Sequence, residues 1–178
     1  KIKVHEVQEV VNRKVTYKIY PNNAQNQVLE NMFELHRKLY NALLEQRIVI
    51  WKSARQSISF ADQCEQITLL RKECPEFAEL NAQSMQVSAK RLDLGFKSFF
   101  HRFKKGLTPG FPRFKSQDRF SGWGYKTHGD GWRIDTSKSK KVTRKQKSRG
   151  GFVRISGVGK IPIRGMARND GIPKTMEV

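Results

Sequence analysis

The chain has 178 residues, with 35 Lys and Arg against 16 Asp and Glu, a formal net charge of +19. That length holds one ordinary domain or two small ones, and 37% hydrophobic residues with 11 Phe suffice for a core, which excludes wholesale disorder. The charge points to a polyanionic partner, nucleic acid or an anionic membrane surface. No apolar run is long enough to span a bilayer and Lys1-Ile2-Lys3-Val4 opens no signal peptide, which argues against a secreted or membrane-spanning protein.

From 15 to 20 the residues Val15-Thr16-Tyr17-Lys18-Ile19-Tyr20 alternate and predict a strand stopped by Pro21. Asn22 or Asn23 caps a long amphipathic helix from 24 to about 54, with Val28, Met32, Leu35, Leu39, Ala42 and Leu43 on its stripe and a break near Gln46 or Arg47. Ser59 and Asp62 form a capping box for a second helix to about Lys72 or Glu73, with Ile67 and Leu70 inward and Pro75 closing it. Asn81 caps a third, whose Met85, Ala89, Leu92, Phe96, Phe99 and Phe103 make one packing stripe ended by Gly106.

Beyond it Phe120, Trp123, Tyr125, Trp132 and Ile134 sit among glycines, and two short alternating segments follow at 152–155 and 160–163. This predicts a small twisted sheet or barrel, with the early strand available to pair back into it. Between these groups the stretch 137–151 holds seven cations and no acid, and reads either as a solvated loop or as a phosphate-contacting one.

The charge is uneven. Residues 1–93 carry 14 basic and 11 acidic side chains, whereas residues 94–178 carry 21 and 5, which marks the second half as the polyanion-facing part. Arg102, Lys104, Lys105, Arg113, Lys115 and Arg119 line the exit of the third helix, interleaved with Phe103, Phe111 and Phe114. Phosphates need cations and unpaired bases need flat apolar faces, so the mixture suits nucleic acid; the alternative is that the rings are core and the cations solubilise. Cys64 and Cys74 and the four dispersed His fit neither a disulfide framework nor a metal site. Asp130 and Asp135 flank Trp132 in a Gly-rich turn, where turn formation outweighs catalysis.

Four segments carry a resemblance. Tyr17-Lys18-Ile19-Tyr20-Pro21-Asn22 with the following Leu39-Tyr40-Asn41-Ala42-Leu43, then Phe96-Lys97-Ser98-Phe99-Phe100, then Gly110-Phe111-Pro112-Arg113-Phe114-Lys115 resemble the TnpB family, the OrfB proteins of insertion sequences. Gly159-Lys160-Ile161-Pro162-Ile163 is similar to the family's Lys-x-Pro strand, and the likeness covers about 13–178, with 137–151 like an insertion.

The resemblance implies an α+β chain: a first wedge strand at 13–23, a three-helix recognition bundle at 24–105 inserted into a small OB-like wedge β-barrel, and the rest of that barrel at 106–178. It implies the nucleic-acid-binding half of an RNA-guided DNA endonuclease that holds guide RNA, the guide–target heteroduplex and a transposon-adjacent motif in target DNA. Cleavage would belong to a RuvC-like domain lying beyond Val178, and magnesium and zinc would be bound there, with no cofactor and no catalytic residue in this chain. Gln86 matches a family position that contacts the adjacent motif, Phe60 lies near an aromatic one, and Lys126 or Thr127 falls near a wedge contact, with Tyr125 next to them also expected to bind nucleic acid. Gln can bond an adenine edge and Lys90, one turn on, the neighbouring phosphate, although Gln86 also reads as a plain exposed polar residue. The expected location is cytoplasmic, at the nucleoid of a prokaryote. Two rival readings are a nuclease-dead relative acting as an RNA-guided repressor, and a simple helix-turn-helix DNA-binding protein that uses the first two helices without RNA.

Overall fold

The computed structural model describes residues 12–136, 149–165 and 172–178. Strand β1 (Lys18–Ile19) precedes helices α1 (Asn23–Ala54), α2 (Phe60–Glu73), α3 (Pro75–Ala78) and α4 (Ala82–Lys104). A 3-10 turn (Gln117–Arg119) leads to β2 (Gly124–Tyr125), β3 (Trp132–Asp135), β4 (Arg149–Ile155), β5 (Gly159–Gly165) and β6 (Met176–Glu177). The chain is α+β, as its sequence pattern predicts.

Helix α1 starts in a capping box: the Asn22 side chain accepts from Gln25 N at 2.8 Å while Gln25 Oε1 accepts from Asn22 N at 3.1 Å. It then runs unbroken for 32 residues, about 48 Å, and ends where Arg55 turns left-handed at φ 55°. The break expected near Gln46 or Arg47 does not occur, because both side chains reach α2 instead of competing with the helix backbone. Gln46 bonds Gln66, and Arg47 Nε donates to Gln63 Oε1 at 2.8 Å. The buried face is Leu29, Met32, Leu35, His36, Leu39, Leu43 and Leu44, so the expected stripe is corrected at Val28 and Ala42, which are exposed.

The Ser59–Asp62 capping box forms as expected and opens α2. Pro75 does not merely close that helix; it opens α3, where a first-turn proline sacrifices no intrahelical bond. Asn81 caps α4 by accepting from Ser84 N. Met85, Ala89, Leu92 and Phe96 are buried on α4, but the expected stripe stops there: Phe99 is half-buried and Phe103 is 67% exposed.

The strands form an antiparallel sheet in the order β1-β5-β4-β3, with Lys18 opposite Arg164, Val153 opposite Ile161 and Trp132 opposite Ile155. The early strand thus returns to the sheet, although its hydrogen-bonded part is only two residues long. A separate pair, β2 and β6, sets Tyr125 against Met176. Among the described residues no ladder joins the two sheets, so the expected OB-like barrel is corrected to an open sheet beside a short ribbon. Gly122 makes the ribbon possible, since at φ 97° a Cβ there would overlap the Val178 carbonyl.

One continuous apolar cluster includes Leu39, Met85 and Leu92 from the helices and Trp123, Tyr125, Ile155 and Ile161 from the β part. His36 joins the two parts. Its ring stacks on Trp123 at 5.5 Å and 7°, and its nitrogens lie 3.2 Å from the Ser84 and Ser88 hydroxyls of α4. Burial, helped by the Arg91 charge, pushes its pKa down to about 3, so it packs as a neutral ring.

Candidate nucleic-acid interface

The amphipathic pattern of α4 buries one face and leaves a polar one beside it, on which Gln86 and Lys90 are exposed one turn apart. Lys90 Nζ stands 4.8 Å from the centre of the Phe60 ring, held there because α2 packs across α4. The structure therefore brings together Phe60 and Lys90, with Gln86 on the next turn of the same helix. The turn carrying Lys126 and Thr127, both exposed, is tied to the start of this helix: Asp130 N donates to the Thr127 carbonyl, and Asn81 Nδ2 donates to Asp130 Oδ1 at 3.0 Å. Asp130 is thus a tether for that turn. Tyr125 is corrected: at 1% exposure it belongs to the core, and its ring offers no face to a ligand.

A second cluster was not foreseen. Asp93, 7% exposed, takes Lys97 at 3.0 Å and Lys90 at 3.6 Å on one oxygen and Arg47 of α1 at 3.6 Å on the other. Burial alone would raise its carboxyl, and the charges of Lys97, Arg47 and Lys90 more than offset that, holding it below the usual carboxylate range. One anion against three cations leaves a surplus of positive charge next to Gln86. The Lys90–Asp93–Lys97 spacing was the available signal, since residues three and four apart share a helix face.

The other sequence-predicted cations lie further along. Arg102, Lys104 and Lys105 are exposed at the end of α4, Arg113 is exposed in the loop after it, and Arg119 is exposed in the 3-10 turn. Lys115 is half-buried because α1 grips its backbone. Asn41 Oδ1 accepts from Lys115 N at 2.8 Å and Asn41 Nδ2 donates to Lys115 O at 3.0 Å, and Arg37 Nη1 donates to the same carbonyl at 3.0 Å. Pro112 packs on Gly95, where a Cβ would lie 3.6 Å from it. No local pattern marks Asn41 for this role, because its partner is 74 residues away.

Among the described residues no three His, Cys, Asp or Glu side chains come together as a metal-ligand set. Among them, too, no helix is long and apolar enough to cross a membrane.

Residues 11–56 match the family model for the helix-turn-helix domain of IS605-type OrfB proteins. The N-terminal region of this chain is therefore similar to the N-terminal region of the OrfB/TnpB family. The match spans the extended segment, β1 and all of α1, and stops just after the left-handed turn at Arg55. No curated protein matches the chain.

Proposed function

We propose that this chain is the nucleic-acid-binding portion of a TnpB-like RNA-guided DNA endonuclease, which holds a guide RNA, its heteroduplex with target DNA and a short transposon-adjacent motif in that target. Cleavage would be carried by a RuvC-like domain with its own metal ions. The observation that carries this reading is the join between two segments of family likeness. Asn41, inside the matched helix, grips the backbone of Lys115 in the Gly110–Lys115 loop, so sequence features far apart form one basic surface unit. On the other side of α4 from Gly95, where Pro112 of that loop packs, Gln86 offers an amide that can pair with an adenine edge, and Lys90 an ammonium for the adjoining phosphate.

The test is to express the chain together with its own locus, wash it at high salt and sequence the RNA that stays bound. One discrete RNA ending at the transposon boundary supports the reading; heterogeneous RNA, or none, counts against it. Salt-sensitive binding would not discriminate, because any chain of charge +19 shows it.

A second reading takes up the helix-turn-helix description of the matched family: DNA binding without RNA by α1, which the match covers, together with α2, which lies beyond it. It expects tight, site-specific duplex binding by RNA-free protein.

A further inference from the structure

We propose that the edge formed by the last two turns of α4 and the loop after it is a stacking platform for an unpaired stretch of RNA. This rests on the guide-RNA reading and narrows it to named rings. Phe100, Phe103 and Phe114 are 55%, 67% and 52% exposed, and Leu107 between them is 55% exposed. Four large apolar side chains this exposed within fifteen consecutive residues mark a stretch that a partner covers.

The rings divide into two sets. Phe96, Phe99 and Phe111 interlock edge to face, with Phe96–Phe111 at 5.5 Å and Phe99–Phe111 at 5.3 Å, and they pin the loop to the helix. Phe100 is braced against Phe99 at 5.1 Å and 70°. Phe103 and Phe114 have no ring partner among the described residues. A fixed inner lattice therefore presents outer rings: Phe100, which stacks one side toward Phe96 at 6.5 Å and 28° and leaves the other outward, and Phe103 and Phe114, both more than half exposed.

Charge selects the partner. Residues 94–117 contain six Lys and Arg and no Asp or Glu. Arg102, Lys104, Lys105 and Arg113 are exposed, and none makes an ion pair among the described residues. Rings and cations alternate along the chain, as in Phe100, Arg102, Phe103, Lys104 and again in Phe111, Arg113, Phe114, Lys115. A single strand has that same alternation of flat base and phosphate. A bilayer would favour an unbroken apolar face, and an acidic protein would need no flat rings. Stacking and charge suit either nucleic acid, and the guide-RNA reading on which this proposal rests makes RNA the occupant rather than displaced DNA.

The experiment uses the whole chain and a short single-stranded RNA carrying 2-aminopurine, whose fluorescence is quenched on stacking, with DNA of the same sequence in parallel. Phe100, Phe103 and Phe114 are each replaced by Leu, which keeps the apolar volume and removes the flat face; thermal unfolding of each variant confirms that it folds. The proposal expects quenching on the native chain, affinity for the RNA at least equal to that for the DNA, and about tenfold weaker RNA binding per ring lost. The salt dependence should not change, since no cation is removed. RNA affinity and quenching unchanged in all three variants would overturn it, and so would tighter binding of the DNA. The two readings separate cleanly. If the Leu variants still retain one discrete RNA from their locus as firmly as the native chain does, the platform fails and the guide reading stands. Ring-dependent binding of the short RNA with no discrete RNA retained supports the platform and contradicts the guide reading.

Discussion

The two halves of α4 differ in what their charges do. In the first half every cation has an internal partner: Lys90 lies over Phe60 and beside Asp93, and Arg91 donates to the Gly122 carbonyl at 2.6 Å and to Glu177 at 3.2 Å. In the second half Arg102, Lys104 and Lys105 are exposed and, among the described residues, unpaired, while the apolar stripe passes out of the core at Phe96. One helix is thus a structural beam at its start and a free edge at its end. The first half holds its cations in fixed poses near the exposed Gln86; the second offers loose charge and exposed rings.

The largest expected effect breaks this contrast at the core. Leu92, fully buried, should cost about 2–5 kcal/mol when replaced by Ala, read from the urea midpoint, whereas Phe103→Leu on the same helix should change stability by less than about 0.5 kcal/mol. Equal effects would mean that the second half is packed after all.

Next comes pH. His36 is held neutral with its pKa at about 3, well under the ordinary 6.5, so the unfolded chain takes up a proton that the folded chain refuses. Stability is complete above about pH 6.5 and should fall on acidification by up to about 1.4 kcal/mol per pH unit toward about pH 5.5, before ordinary carboxylates begin to titrate. Urea midpoints across that window check this.

A third effect sharpens the comparison at the loop. Asn41→Ala orphans the Lys115 amide and should cost about 1–3 kcal/mol, with faster hydrogen exchange at Lys115 than at Val153 in the sheet. The smallest is Lys90→Gln, which should reduce the salt slope of duplex binding by about one, while Gln86→Ala should relax base preference and leave that slope unchanged.

The helices were legible in the sequence because their caps are local: the Asn22–Gln25 and Ser59–Asp62 boxes each sit within four residues. Gln86, Lys90 and the basic exit of α4 could be singled out because composition and family likeness mark them. Tyr125 could not be separated from the ligand-facing aromatics, because a glycine-flanked ring looks the same whether it faces ligand or core. Barrel closure could not be read either, since strands of two residues leave almost no periodic signal. The Asn41 grip on Lys115 and the His36–Trp123 stack both depend on contacts far apart in sequence.

The most direct test of the two-ended account is ultraviolet crosslinking of the RNA-loaded chain in the presence of a target duplex, with the crosslinked residues mapped by mass spectrometry. The account predicts RNA adducts at Phe100, Phe103 or Phe114 and duplex adducts at Phe60 or Lys90. RNA and duplex crosslinking to the same residues, or RNA adducts confined to the first half of α4, would contradict it.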